Sequence, residues 1–432
     1  MVSTCYLDFR SWTREHWKLF IITSISFFID GLIFSISPLI IYSVKVLLNY
    51  ATYILAVNML FWTAGSLILG RLGDIIGRRL TFIIVLLLEF TSVGLLLLFY
   101  NNLILFTLLT SLACFAIGGE FGAAFSALAE LVPPEHRGKS ILLSSNFWNL
   151  GAVVVASLSL ICYTFVTNPS LQIRYLLAAA FTIIVLSAFA RIGFPESLRW
   201  LIVKGKLEDV KRMCKIFNIS FSEDFVSEYR QRHGISLRDA FVRYTYRFAI
   251  LLIITVSIYV TYFVPAFYLP YTPDFPFKSM LPYVILIANL GSFVGAFILI
   301  PIIDRGRKIS TLVSLSGGFI TAIAMILSIL CKSSTMFFVS LFWNMVFSEW
   351  GWACLSTLQS ELFPTGIRST IIGFFISLEG VTTAILTLAE AYLTAGMCMV
   401  IIAMLWLAGT MAAASWYVKG LETARVSIDL LV

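Results

Sequence analysis

Charged residues are scarce in this chain, at 12% of 432 residues, whereas a soluble globular domain has about 25%. This scarcity excludes an ordinary soluble domain, and the 59% of hydrophobic residues indicates a lipid bilayer as the solvent. The seven cysteines are scattered without metal-like or redox spacing, so we expect no metal site. The sequence has no phosphate loop of the form GxxxxGK[ST] and no nucleophile–base pair. We therefore expect neither an enzyme nor a bound cofactor.

The hydrophobic residues fall in blocks of about 20, the length that crosses roughly 30 Å of hydrocarbon as a helix with its backbone groups paired internally. Twelve such blocks predict an all-α membrane protein with twelve transmembrane helices. They cover residues 18–41, 53–72, 80–99, 103–127, 140–163, 173–193, 247–266, 281–303, 309–330, 335–357, 370–393 and 396–417.

The positive charges are distributed unequally between the two sides of the predicted membrane. If both termini are inside, 26 of the 30 Lys and Arg residues lie on inward segments. Such a bias predicts that both termini are cytoplasmic, in the plasma membrane of the cell. The net charge of +7 then belongs to loops near anionic lipid, and it does not indicate nucleic-acid binding.

The chain contains an internal repeat. The segment ELVPPEHRG at residues 130–138 returns as ELFPTGIRS at residues 361–369, an offset of 231 residues, and Asp74 matches Asp304 at an offset of 230. Two unrelated signatures at nearly one offset predict a duplicated six-helix unit, with the substrate between the halves. We expect an N-terminal bundle at residues 1–193, a cytoplasmic linker with short helices at 194–246, and a C-terminal bundle with a short tail at 247–432.

Three motifs resemble those of the major facilitator superfamily, in its sugar porter and organic cation transporter-like branch. GRLGDIIGRR at residues 70–79 is similar to the pattern G-x-x-x-D-R-x-G-R-R, with Ile75 in place of the usual Arg. PESLRWLIVKGK at residues 195–206 resembles the PESPRWL element, and ETARVSID at residues 422–429 resembles the ETxGxSLE ending. The resemblance implies the major facilitator fold, with two pseudo-symmetric six-helix bundles.

The resemblance also implies a cytoplasmic gate of salt bridges that latches the outward-facing state. The alternative for these loop charges is a role in membrane topology alone. The second copy of the first motif, IDRGRK, is one residue shorter than the family pattern, so the second latch is less firmly implied. The gate residues are Asp74, Arg78, Arg79, Glu130, Arg137, Glu196, Arg199, Asp304, Arg307, Glu361 and Arg368.

The ionisable residues deep inside the predicted helices are all acidic, and such costly groups are functional by default. They are Asp30, Glu89, Glu120, Glu349, Glu379 and Glu390. Acids without neighbouring Lys or Arg predict a site for cations or protons. Glu120 and Glu349 lie at similar depth in helices four and ten, so we expect a central pair, with Glu379 as the deeper acid of helix eleven. For Asp30 we weigh proton coupling or cation binding against helix packing, and for Glu89 we expect a structural role.

Aromatic and amide side chains accompany these acids, and rings with carboxylates suit an organic cation. The expected cavity residues are Trp148, Asn149, Tyr262, Trp343 and Asn344, although each ring could instead face lipid or pack in the core. Helix seven lacks the Gln-Gln-x-x-Gly element of sugar porters, and Thr110 aligns with their helix-four Arg.

Together these features predict a secondary active transporter that moves a small organic solute, preferably an organic cation, by alternating access coupled to protons. The alternatives are a sugar or carboxylate transporter of the same fold and a nutrient sensor that transports nothing. The predicted partners are a small-molecule substrate, protons and membrane lipid, and we expect a monomer.

Overall fold

The computed structural model describes residues 11–191, 193–217, 223–265, 269, 272, 274–277, 280–389 and 392–431. Twelve long helices dominate these residues. They are α1 Arg14–Ser43, α2 Ala51–Ile76, α3 Arg78–Phe99, α4 Leu103–Leu131, α5 Arg137–Phe165, α6 Pro169–Arg191, α7 Thr245–Phe263, α8 Leu281–Ile303, α9 Arg307–Leu330, α10 Ser334–Glu361, α11 Arg368–Ala389 and α12 Ala395–Lys419.

Among the helices described, eleven are long and apolar enough to cross a membrane. The other long helix is α10, whose 28 residues would extend about 42 Å. Its second half carries Glu349, Gln359 and Glu361 together with several Ser and Thr residues, which lowers its hydropathy. Two of these polar residues have roles described below: Glu349 lines a cavity, and Glu361 belongs to an ion-pair network. The protein is an integral membrane protein with the twelve-helix architecture predicted from its sequence.

Local signals fix several helix starts. The side chains of Asn102, Ser333 and Thr394 precede α4, α10 and α12 and accept hydrogen bonds from backbone N–H groups one turn later, which satisfies donors that a helix start leaves open. Gly77, between α2 and α3, has a φ of +106°, a conformation that favours glycine. The turn at Gly77 therefore lets α3 begin directly after α2.

The two halves of the chain pack mainly within themselves. One large hydrophobic cluster draws mostly on residues from Leu19 to Phe194 and another on residues from Ala240 to Leu431. Helix α2 packs against α11, and α5 packs against α8, which joins the first six helices to the last six. The α2–α11 contact is so close that a Cβ added to Gly373 would lie 2.1 Å from the Ser66 carbonyl oxygen.

Short helices cover one end of the bundle. Between α6 and α7 the chain forms Leu198–Val203, Leu207–Phe217, Glu223–His233 and Leu237–Arg243, and the tail after α12 forms Ile428–Leu431. These segments lie beside the α2–α3 and α8–α9 junctions, as the contacts of Glu196 and Glu422 below demonstrate. We call this side of the molecule the linker end.

Candidate functional site

A cavity of about 70 Å³ lies between the first and last six helices. Its walls are largely aromatic, with two carboxylates, one amide and two hydroxymethyl groups. The lining residues are Trp62, Phe121, Ser145, Trp148, Asn149, Ile258, Tyr259, Tyr262, Phe263, Ser348, Glu349, Trp352 and Glu379. They come from α2, α4, α5, α7, α10 and α11, so both halves of the chain build the cavity.

Five of the predicted binding residues line this cavity, namely Trp148, Asn149, Tyr262, Glu349 and Glu379. Trp343 and Asn344 do not. Trp343 is 45% exposed on the outside of α10, beside Phe342 and Phe347. Asn344 faces α9, where its amide donates to the Gly318 carbonyl at 3.0 Å. Glu390, the other acid of the predicted eleventh helix, lies outside the described residues.

Aromatic rings from opposite halves meet across the cavity. Trp62 and Trp148 from the first half contact each other edge to face, with ring centroids 5.9 Å apart. Phe121 contacts Trp352 of the second half in the same manner at 6.0 Å, and Trp352 in turn lies 5.2 Å from Tyr259. Edge-to-face contacts of this kind hold the rings in fixed orientations.

The two cavity carboxylates have few polar contacts. Glu349 accepts a hydrogen bond from the Asn149 amide at 3.5 Å, and the same amide donates to Asn146 at 2.9 Å. Glu379 is 8% exposed. No Lys or Arg is among the described residues that line the cavity. A ligand with positive charge would therefore meet complementary charge and ring faces here.

The sequence did not single out Trp62, Phe121, Ser145 or Ser348 as cavity residues. Trp62 lies in an α2 segment whose composition does not distinguish a cavity-facing ring from a lipid-facing one. Its orientation follows from close packing of α2 on α4, where a Cβ on Gly118 would lie 2.4 Å from the Trp62 carbonyl oxygen. Such a contact is a tertiary property, so no local sequence signal predicts it.

Glu120 lies in a separate group of acids within the first half, which corrects the expected central pair. Asp30 on α1, Glu89 on α3 and Glu120 on α4 are fully buried, and one carboxylate oxygen from each lies within 4.8 Å of the other two. The repeat maps Glu120 to residue 351, two positions beyond Glu349. Because each residue turns a helix by about 100°, those two positions aim Glu120 away from the side that Glu349 faces. Three carboxylates at this spacing could also hold a cation.

Ion pairs seal the linker end, beginning with the first copy of the repeated motif. Arg78 contacts Asp74 at 3.0 Å and Glu130 at 2.9 Å. Glu130 also receives Arg368 from the other half of the chain at 2.6 Å. Asp74 accepts backbone N–H bonds from Ser369 at 3.2 Å and from Thr370 at 2.7 Å, at the N-terminus of α11. The helix dipole favours a carboxylate at this position.

The second copy builds the matching half of this network. Arg307 contacts Asp304 at 3.0 Å and Glu361 at 3.2 Å, and Glu361 also receives Arg137 at 3.3 Å. Asp304 accepts backbone N–H bonds from Gly138 at 2.9 Å and Lys139 at 3.2 Å, at the start of α5. The shorter motif IDRGRK therefore still delivers its Asp to the other half. We call the eight residues Asp74, Arg78, Glu130, Arg137, Asp304, Arg307, Glu361 and Arg368 the seal; all are buried.

The remaining predicted gate residues connect the seal to the linker and tail. Glu196 accepts backbone N–H bonds from Arg78 at 3.0 Å and Arg79 at 3.2 Å, while the side chain of Arg79 is exposed. Burial raises the pKa of Glu196. Arg199 donates to the Glu130 carbonyl and binds both carboxylate oxygens of Asp429 in the tail, at 3.1 and 3.0 Å.

The tail carboxylate is strongly held. Burial alone would raise the pKa of Asp429, but the Arg199 guanidinium and the Tyr229 hydroxyl hold it at about 2. Further along the tail, Glu422 accepts the backbone N–H of Arg307 at 2.8 Å, and the Val426 carbonyl accepts from Arg137 at 3.1 Å. The tail thus contacts both halves at the linker end.

Comparison with known proteins decides the family. The sequence profile of the Major Facilitator Superfamily matches residues 19–387. The chain belongs to this superfamily. Its curated relatives include the niacin transporter NiaP of Acinetobacter baylyi, 25% identical over 269 residues, and the inner membrane metabolite transport protein YgcS of Escherichia coli, 25% identical over 282 residues. The matches cover 59% and 63% of this chain but only 58% and 60% of those relatives.

Solved structures of superfamily members share the fold. The proton:xylose symporter XylE bound to 6-bromo-6-deoxy-D-glucose has a TM-score of 0.78 at 17% identity, with 96% of this chain and 98% of that chain covered. The inward-open conformation of XylE from E. coli has a lower TM-score of 0.65 at 16% identity, over 96% and 98% of the two chains.

Proposed function

We propose that this superfamily member carries small organic cations across the membrane by alternating access, coupled to protons. One observation carries the proposal: the cavity between the halves combines Glu349 and Glu379 with a wall of aromatic rings and is lined by no described Lys or Arg. An anion would lack a positive partner there, whereas a cation gains both Coulomb attraction and contact with ring faces.

The same proposal assigns a direction to the structure. The positive-inside bias supports a cytoplasmic linker end in the plasma membrane, so the formed seal closes the cytoplasmic side. Residues 1–193 and 247–432 would then act as two bundles of a monomer that rock about the cavity, joined by the linker at 194–246. The names of the relatives, which are transporters of niacin and metabolites, support a small-molecule substrate.

Proton coupling is supported by the buried acids Asp30, Glu89 and Glu120. Two full charges 4.8 Å apart repel by about 3 kcal/mol at an effective dielectric constant of about 20. Three ionised carboxylates in this space would repel one another, and a bound proton relieves that repulsion. We propose that this group of acids holds protons and that Asp30 exchanges one of them during transport.

A neutral sugar is the second candidate. It is favoured by the amide and carboxylate cluster of Asn146, Asn149 and Glu349, which offers donors and acceptors to hydroxyl groups. Rings such as Trp148 and Trp352 would also pack on a sugar face. The two candidates differ in the charge that they require of the ligand.

A ligand screen followed by transport separates them. Purified protein is screened by thermal shift against sugars, organic cations, amino acids and carboxylates at several pH values, and binders are then tested for uptake into proteoliposomes with an imposed pH gradient. We expect cations to stabilise the protein and to accumulate against their gradient. Stabilisation by sugars alone would reverse the ranking of the two candidates.

The variant Asp30→Asn tests the proton step in the same vesicles. We expect it to lose accumulation driven by the pH gradient but to keep exchange of substrate across the membrane, because the cavity is unchanged. If Asp30→Asn retains both accumulation and pH dependence, the coupling role of Asp30 is abandoned. Replacement of external Na⁺ by K⁺ at a constant pH gradient in the wild type distinguishes a sodium ion from protons.

A further inference from the structure

Four residues of the cavity wall carry a buried polar atom that has no hydrogen-bond partner within the described part of the protein. The atoms are Trp62 Nε1, the Tyr259 hydroxyl, Ser348 Oγ and Glu379 Oε2. Buried polar groups are almost always hydrogen-bonded, since leaving one unpaired costs free energy. Four such atoms around one cavity indicate that their partners belong to a ligand.

Trp62 differs from the other three in chemistry and in position. An indole N–H is a donor only, whereas a hydroxyl both donates and accepts. Trp62 also belongs to the first half of the chain, while Tyr259, Ser348 and Glu379 belong to the second. The wall therefore carries an obligatory donor from the first half of the chain and carboxylates from the second.

The orientation of the Trp62 ring is fixed by its neighbours. Its centroid lies 5.6 Å from that of Phe121 and 5.8 Å from that of Phe34. Its Cδ1 atom, which is bonded to Nε1, would be 3.0 Å from a Cβ on Gly380, the residue after Glu379. The N–H edge of the indole thus lies at the boundary between α2 and α11, close in the chain to a cavity acid.

Other tryptophans of the protein show what is special here. Trp200 and Trp350 donate their N–H groups to backbone carbonyls at 3.0 and 2.8 Å. Trp406 and Trp416 have N–H groups without a partner among the described residues, yet neither lines the cavity. An unpaired indole N–H alone therefore does not indicate a binding site. What indicates one is that Trp62 belongs to the cavity wall together with three other residues that carry an unpaired polar atom.

We propose that Trp62 Nε1 donates a hydrogen bond to the substrate, so that the transported cations are those that also carry an acceptor, such as a carbonyl or carboxylate group. This inference rests on the proposed function and narrows its substrate class. The cationic part lies toward Glu349 and Glu379 and the acceptor toward Trp62. A ligand bound at both ends spans the two halves, whereas a cation without an acceptor leaves the indole unpaired.

Two probes that share one cationic ring test this. 1-Methylpyridinium has no acceptor, and 1-methylnicotinamide adds an amide carbonyl to the same ring. Affinities of both are measured by calorimetry on the purified full chain in lipid nanodiscs. Because an unpaired buried donor is costly, we expect 1-methylnicotinamide to bind at least about tenfold more tightly than 1-methylpyridinium.

Two replacements of Trp62 then remove the donor. Trp62→Phe keeps a ring, and replacement of Trp62 by 3-benzothienylalanine keeps the shape of the indole with sulfur in place of N–H. In both we expect the preference for 1-methylnicotinamide over 1-methylpyridinium to fall to within about threefold. The matched control Trp406→Phe removes an unpaired indole N–H outside the cavity and should keep the full preference.

The outcomes separate this inference from the proposed function. A preference that survives the benzothienyl replacement, or equal binding of both probes to the wild type, overturns the role of Trp62 while organic cation binding stands. Binding of neither probe to the wild type overturns both. If Trp62→Phe fails to fold, the benzothienyl variant decides the result.

Discussion

At the linker end, each seal carboxylate meets a guanidinium, whereas the carboxylates of the cavity face rings and a single amide. Glu130 is held between Arg78 and Arg368, and Glu361 between Arg137 and Arg307. Glu379, by contrast, keeps one oxygen without a partner in the described protein. Both regions bury acids at the boundary between the halves. This difference indicates two roles. Carboxylates that are paired with guanidinium groups hold the halves together, whereas a carboxylate without such a partner is available to a ligand.

The largest expected effect comes from removing a carboxylate of the seal. Glu130→Gln leaves the buried Arg368 without its carboxylate and Arg78 with Asp74 alone, and loss of one partner from a buried ion pair costs about 3–5 kcal/mol. We expect the closed linker end to open. Spin labels replacing the exposed Arg71 and Arg305, one on each half, should move apart in a background without native cysteines.

Glu361→Gln is the matched variant of the second copy and should give an effect of similar size. An unchanged distance distribution in both variants would show that the ion pairs do not hold the linker end closed.

The next prediction concerns how the closed linker end depends on pH. His233 is buried at the linker end, stacked on Tyr229 with centroids 4.1 Å apart, and its pKa is lowered to about 4. Burial is the main cause; Arg368, Arg199 and Arg232 also lower the pKa, and Asp429 opposes them. An exposed His233 would titrate near 6.5, so the open state binds more protons between pH 6.5 and 4.

The packed arrangement around His233 is therefore fully stable above pH 6.5 and loses up to about 3 kcal/mol as the pH falls toward 4. Distances between the same spin labels, measured in samples frozen along a pH series, should lengthen over this window. His233→Phe keeps the stacked ring without the titration and should flatten the response. A wild-type response confined to pH below 4 would instead point to Asp429.

The smallest expected effect concerns the cavity and has the opposite sign for stability. Glu379→Gln removes a buried carboxylate that forms no ion pair with a Lys or Arg in the described part of the chain, so the thermal unfolding midpoint should stay the same or rise. The affinity for 1-methylnicotinamide should fall at least about tenfold, because the cation loses its partner. A midpoint that falls as far as in Glu130→Gln would mean that Glu379 is a structural acid, and the contrast between the two regions would disappear.

The sequence predicted the seal better than the cavity, and the reason is geometric. The spacing from Glu130 to Arg137 recurs from Glu361 to Arg368. These residues stand at helix ends, and the position of a helix end along the chain can be predicted without knowing how the helix is rotated. The predicted blocks were also close to the helices; residues 281–303 match α8, and residues 335–357 fall inside α10. Both predictions depend on position along the chain, which the sequence gives directly.

Rotation about a helix axis was harder to predict. Glu120 and Glu349 were expected to meet because their depths agree, yet two residues of offset turn them to different sides. Trp62 and Trp343 each follow a Phe in their helices, and only the packing of neighbouring helices puts Trp343 outside and Trp62 in the cavity wall. Trp148 does line the cavity, whereas Trp343, which is likewise followed by an Asn, does not.

Asp74 and Asp304 each cap a helix that belongs to the opposite half of the chain. The linker end is thus held closed by two separate contacts. Each half of the chain supplies one capping carboxylate and one helix N-terminus. If the two contacts break independently, the probability that both are broken at once is the product of two small probabilities. A single thermal fluctuation would then break one contact without opening a passage. In the proposed transporter, the ion gradient across the membrane would therefore not leak between transport cycles.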